Sequence, residues 1–219
     1  MRVSIEITAD GSPTFYREDI DEHYHSVKGA LAESSHVYIQ AGWQQAAASG
    51  GTVRVFEVGF GTGLNAALTA LAALEAGVDT EYYSVELYPL SPESTALYSG
   101  ALPEQLQPIF KAVNTAAWQQ TSRINPHFSL TKIEGNLLTL ELPADLDAVY
   151  FDAFAPEKQP EMWHEAVFRK IYQAMKPGGV LTTYCAKGAI RRMLADIGFK
   201  TERLPGPPGG KREILRCIK

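Results

Sequence analysis

Cysteine is scarce in this chain: of 219 residues only Cys185 and Cys217 carry a thiol, which excludes a disulfide framework and points to a reducing cytosol. No apolar run approaches the ~20 residues that a bilayer-spanning helix needs, so no membrane segment is expected. Charges at Arg2, Glu6, Asp10, Arg17, Glu18 and Asp19 interrupt the N-terminus and leave no signal-peptide core. His23 and His25 have no cysteine pair near them, so no metal site is expected. Nothing Pro/Ser-rich divides the chain. A length of 219 residues suits one α/β core, with residues 1–50 as an N-terminal extension packing on residues 51–219.

What is present centres on Glu57-Val58-Gly59-Phe60-Gly61-Thr62-Gly63-Leu64-Asn65, which joins an apolar strand pattern to an Ala/Leu-rich helical one. Alternate glycines let backbone turn tightly and approach a ligand, and the following helix aims its unpaired N–H groups at it. Glu86 lies 23 residues after Gly63, at the end of a second strand pattern, where a carboxylate accepts hydrogen bonds from ribose hydroxyls. A dinucleotide loop would need a third glycine at position 64, and the residue there is Leu64. A pyrophosphate is therefore disfavoured. S-adenosylmethionine has no pyrophosphate, and its cationic end suits a loop that opens on Glu57. The bland alternative is a tight strand-to-helix turn with no ligand.

Strands are predicted at 52–58, 80–86, 128–133, 147–151 and 179–184, with helices at 64–76, 92–105, 109–121, 161–175 and 188–197. Two short strands, 199–203 and 212–217, end the chain as an antiparallel hairpin. That order predicts an α/β fold with a mostly parallel sheet and resembles the Rossmann-like, seven-stranded fold of class I methyltransferases. The N-terminal region is rich in aromatics, Tyr16, Tyr24 and Tyr38 among them, which either cap the cofactor site or pack on the sheet edge.

A net charge of −5 hides a split along the chain. Residues 1–175 hold 10 Lys/Arg against 22 Asp/Glu, whereas residues 176–219 hold 10 against 3. A basic end on an acidic body suits a face that meets a phosphate backbone, although ordinary solvated surface would show the same counts. Asp152 follows a buried strand, at the sheet edge where ligands of open parallel sheets sit. Phe154, Pro156, Lys158 and Trp163 lie just downstream, and aromatic and proline faces there could stack on a flipped-out base. Core packing is the competing role for Phe154 and Trp163.

Taken together, Gly59 to Asn65, Ser84-Val85-Glu86-Leu87-Tyr88-Pro89, the stretch from Asp152 to Trp163 and Gly210-Lys211-Arg212-Glu213-Ile214-Leu215 resemble the methyltransferase domain of MnmC-type enzymes. Coverage runs from about Tyr24 to the C-terminus. The resemblance implies S-adenosylmethionine-dependent N-methylation of the aminomethyl group of 5-aminomethyl(-2-thio)uridine at the tRNA wobble position, in the cytoplasm. It implies upstream aminomethyl-forming enzymes too, because no second dinucleotide loop for a fused oxidase is present. Oligomeric state stays open. Implied cofactor-binding residues are Tyr24, Glu57, Gly59, Gly61, Thr62, Gly63, Asn65, Glu86, Asn136, Leu137 and Asp152. The family usually has Gly-Asp where this chain has Gly135-Asn136, so Asn136 would border the adenine with a neutral side chain. Asp152 is the expected catalytic residue. Lys187, Arg191, Arg192, Lys211 and Arg212 are expected to touch phosphates of the tRNA anticodon arm, with Phe154, Pro156, Lys158 and Trp163 near the base. Competing functions are an aminopropyltransferase acting on a polyamine and a catalytically silent RNA-binding scaffold of the same fold.

Overall fold

The computed structural model describes residues 3–219. Three short strands come first, β1 (Val3–Ile7), β2 (Pro13–Arg17) and β3 (Glu22–His23), paired antiparallel in their own sheet. A helical rod follows: α1 (Ala30–Ser34), a π-wound middle (Ser35–Trp43) and α2 (Gln44–Ala47). The remaining elements are β4 (Val53–Val58), α3 (Leu64–Ala76), β5 (Thr80–Glu86), α4 (Pro92–Gly100), α5 (Gln107–Thr115), β6 (Thr121–Asn125), β7 (Phe128–Glu134), β8 (Leu146–Phe151), α6 (Glu165–Ala174), β9 (Met175–Thr183), α7 (Gly188–Ile197), β10 (Lys200–Pro205) and β11 (Glu213–Ile218).

The main sheet runs β10-β11-β9-β8-β4-β5-β7-β6. Its five central strands, β9 to β7, pair in parallel, while β11 is antiparallel to both its neighbours. The class I methyltransferase architecture expected from the sequence is therefore present, terminal hairpin included. Besides β1 to β3, one strand of the main sheet had no counterpart in the expected elements: β6 pairs antiparallel with β7 and brings the sheet to eight. Its signal was local, a β-branched start at Thr121 closing on Asn125-Pro126, and a helix expected through 121 concealed it. That helix stops at Thr115, and Gln119 turns the chain at φ 63. Likewise the helix expected over 92–105 ends at Gly100.

Each face of the sheet carries its own core. On one, α3 packs through Ala66, Ala67, Ala70 and Ala73, all fully buried, because small side chains let the helix approach the sheet closely. The helical rod joins this face: Trp43 donates its indole N–H to Thr80 Oγ1 at 3.1 Å, and Tyr38 lies against Tyr150. On the other face α6 and α7 bury Phe168, Ile171 and Leu194 over Phe56, Val149 and Phe151. Strand alternation thus divides β4, sending Val53 and Val55 toward α3 while Phe56 and Val58 face the opposite layer. Among the described residues, no helix is long and apolar enough to cross a membrane.

Candidate active site

Adjacent parallel strands β4 and β8 finish at the same sheet edge, so the loops that follow them meet. Asp152 donates its backbone N–H to Val58 O at 3.1 Å, locking the two loops together. Gly59 sits at φ 88, and a Cβ there would lie 2.9 Å from the Asp152 carbonyl oxygen, closer than packing allows. The third wall comes from β5. Glu86 accepts backbone N–H groups from Gly61 at 3.0 Å and Tyr88 at 2.9 Å, which orients its carboxylate and leaves further lone pairs for a ligand. A cavity of about 810 Å³ opens over these loops and includes Gly59, Gly61, Thr62, Asn65, Glu86 and Asp152 in its lining.

Asp152 is the most constrained polar group there. Tyr38 donates its hydroxyl to Oδ1 at 2.6 Å and Asn65 its amide to Oδ2 at 2.8 Å. Burial raises the Asp152 carboxyl to about 6, Tyr38 and Asn65 resist that rise, and the charges of Glu33 and Lys211 act in opposite directions. A carboxylate poised near neutrality, with both oxygens already oriented, is equipped to hold and accept a proton.

The sequence profile of the S-adenosyl-L-methionine-dependent methyltransferases matches residues 102–219. The chain belongs to that family. Two relatives are the tRNA 5-methylaminomethyl-2-thiouridine biosynthesis bifunctional proteins MnmC of Cupriavidus necator, 35% identical over 95% of this chain and 33% of its own length, and of Chromobacterium violaceum, 33% identical over 87% and 31%. The chain thus spans about a third of the curated relatives it matches. Among solved structures, MnmC2 of Aquifex aeolicus superposes with a TM-score of 0.81 at 26% identity, over 99% of this chain and 70% of that one. Spermidine synthase of Thermotoga maritima, at 15% identity and a TM-score of 0.64, shares the fold.

The methyltransferase has a cradle that suits S-adenosylmethionine. A Cβ would fill the approach at Gly59, Glu86 faces the cavity with acceptor capacity to spare, and the cavity is of ligand size. Tyr24, Leu137, Phe154, Pro156 and Lys158 line it as well. So does Asn136, although its side-chain oxygen already accepts the Leu138 N–H at 2.9 Å. Gly59→Ala is expected to weaken S-adenosylmethionine binding at least about tenfold and to destabilise the fold by about 1–3 kcal/mol, through positive φ and the clash with Asp152. Calorimetric titration and thermal melts check both; wild-type affinity in the variant would refute the close approach.

Several expected site residues of the methyltransferase lie elsewhere. Glu57 is fully buried and does not line the cavity: it shares the strand face of Val53 and Val55, points under α3, and accepts the Ser84 hydroxyl at 2.6 Å. It is therefore no direct partner for the cofactor's ammonium. Gly63 is also outside the lining; its αL backbone opens α3, and a Cβ would strike Phe60 at 2.8 Å. Trp163 is core rather than base clamp, with its indole N–H donated to Phe154 O at 2.7 Å and its ring against Phe151 and Phe168. Of the five cations expected on phosphates, Arg191 and Arg192 lie along α7 beyond the cavity, Lys187 pairs with Glu157, and Lys211 turns inward to Glu33. Counting charge along the chain missed the acids that folding brings against Lys187 and Lys211. Lys187, Lys211 and Arg212 nevertheless line the cavity.

Tyr184 and Lys132 carried no functional expectation from the sequence, and Tyr38 only that of an aromatic capping the cofactor site or packing on the sheet edge. Lys132 is 1% exposed and lowered to about 8 by burial. Its ammonium donates to Asn114 O at 2.8 Å and lies between the rings of Phe60 and Trp118. Asn114 in turn donates to Thr62 O at 3.1 Å, so this buried cation supports the glycine loop from behind. Among the described residues no cluster of three or more His, Cys, Asp or Glu is placed to hold a metal ion.

Proposed function

We propose that this methyltransferase N-methylates the aminomethyl group of 5-aminomethyl(-2-thio)uridine at the wobble position of tRNA, acting in the cytoplasm on a substrate that a separate reaction supplies. The observation that carries this reading is the alignment of 95% of the chain with an MnmC protein, whose name specifies tRNA 5-methylaminomethyl-2-thiouridine biosynthesis. The cavity supports it: a buried carboxylate suited to an amine stands beside a cofactor cradle. S-adenosylmethionine supplies, when bound, an electrophilic methyl group on a sulfonium sulfur.

The chain's own residues do the rest. Glu86 holds the ribose, Gly59 and Gly61 admit the methionine end, and Gly135 to Leu137 border the adenine. Asp152, fixed by Tyr38 and Asn65, accepts a hydrogen bond from the amine, takes its proton and aims the freed lone pair. Phe154 and Pro156 flank the uracil with Lys158 beside them, while Lys187, Arg191, Arg192 and Arg212 contact phosphates. Residues 1–50 are read as an extension that completes the site, since Tyr24 lines the cavity and Tyr38 bonds Asp152.

Incubating aminomethyl-bearing tRNA with radiolabelled S-adenosylmethionine, followed by nucleoside analysis, tests the assignment. Label is expected in 5-methylaminomethyl(-2-thio)uridine alone. Label in any other nucleoside, or none, would refute it.

A further inference from the structure

Next to Asp152, the cavity wall contains a second acid that the proposed chemistry leaves unused. Glu33, on α1, is 7% exposed. Its Oε2 accepts the Ser26 N–H at 2.9 Å, while its buried Oε1 accepts no hydrogen bond. A carboxylate oxygen so enclosed favours a cation. The cation it has is Lys211, whose Nζ lies 3.4 Å from Glu33 Oε1 and 3.5 Å from the centroid of the Tyr184 ring. Tyr184 follows β9 and is held rigid, its hydroxyl donating to Ala153 O at 2.9 Å, one residue beyond Asp152. Lys211, Glu33, Tyr184 and Asp152 all line the same cavity.

Lys211 belongs to the connection between β10 and β11 and keeps 44% of its side chain exposed, so it reaches inward from the rim. Its end is a primary aliphatic ammonium. A buried carboxylate together with an aromatic face is the pairing that recognises such a group. Glu33 and Lys211 also both act on the charge of Asp152, which places this pair within electrostatic reach of the proton acceptor.

We propose that Glu33 and the face of Tyr184 form an ammonium-binding subsite beside Asp152, that Lys211 occupies it in the resting chain, and that the substrate's aliphatic primary amine takes it over by displacing Lys211. The inference rests on the proposed function and deepens it. The incoming amine docks in its charged form at Glu33 and yields its proton only at Asp152. Selectivity for an amine over a hydroxyl or an unmodified uracil follows, because a neutral group cannot replace a cation against a buried carboxylate.

The test follows the Lys211 ε-methylene resonance of the full chain by NMR, since a position over the Tyr184 ring moves it upfield. Free 5-aminomethyluridine at millimolar concentration should return that resonance to the ordinary lysine position, and uridine should not. In parallel titrations Lys211→Met should bind 5-aminomethyluridine about tenfold more tightly and Glu33→Gln about tenfold more weakly, the size of one charge-assisted contact. An equal response to uridine, no response to 5-aminomethyluridine, or weaker binding in Lys211→Met would overturn the subsite. The two readings fail separately. Methylation of aminomethyl-bearing tRNA with Lys211 unmoved refutes the subsite alone, whereas displacement of Lys211 without methylation refutes the proposed function and leaves an amine site.

Discussion

Replacing Asp152 with Asn should lower methyl transfer to an aminomethyl acceptor by about 10²–10⁴-fold, the range that a positioned acid–base group contributes. The side chain keeps its size but only one of its two acceptor oxygens, so it still accepts from Tyr38 or from Asn65 but not from both, and the loss falls on kcat while S-adenosylmethionine affinity changes far less. The pH profile separates proton acceptance from simple packing. Asp152 must be ionised to take the ammonium proton, and burial raises its carboxyl to about 6, so the wild-type rate should climb through about pH 6 and then level. Tyr38 stabilises the ionised form by donating to Oδ1. Tyr38→Phe removes that support, and the acid limb should move upward by about one pH unit, the value of one hydrogen bond to a charged group. Single-turnover rates measured from pH 5 to pH 9 give both results. An Asp152→Asn rate within tenfold of wild type, or an unmoved limb in Tyr38→Phe, would remove the carboxylate from proton transfer.

How much of this was readable beforehand divides along physical lines. The positions of Gly59, Gly61, Glu86 and Asp152 at the cavity were legible because they are set within a few residues: a turn that needs positive φ, an acid closing a strand, an acid following a buried one. Glu33 and Tyr184 reach the cavity, and Tyr38 reaches Asp152, only through folding. Glu33 precedes Asp152 by more than a hundred residues, and a buried acid on a short helix gives no local sign of a ligand. Glu57 shows the reverse error. Its place at the head of the glycine motif suggested a cofactor contact, yet its parity with Val53 and Val55 already put it on the α3 face of β4. Trp163 lost a functional reading to packing in the same way, since its distance from Asp152 along the chain says nothing about which layer its ring enters. The main sheet was recovered except at its edge, where the helix expected through 121 covered the short local signal of β6.

Glu57→Gln should make the protein more stable, by an amount that grows with pH. Glu57 is fully buried under α3, and burial raises its carboxyl from the ordinary 4.5 to about 8 despite the Ser84 hydrogen bond. Below pH 4.5 the folded and unfolded chains are both protonated there, so the ionisation has no effect on stability. Between pH 4.5 and about 8 the unfolded chain releases a proton that the folded chain retains. Stability then falls by about 1.4 kcal/mol for each pH unit, up to the folded value. Glutamine has no proton to lose and still accepts the Ser84 hydroxyl, so it escapes this slope. Urea unfolding of both proteins at pH 5, 6.5 and 8 should show curves that nearly coincide at the lowest pH and separate steadily above it. A constant difference across the three would mean that Glu57 is ionised in the folded state. A neutral Glu57 also leaves Asp152 without a charged carboxylate behind it, because an ionised Glu57 would push Asp152 upward. The stability slope and the acid limb near pH 6 therefore report on the same buried pair. If Glu57 is neutral throughout that range, Glu57→Gln should leave the limb where it is while removing the slope.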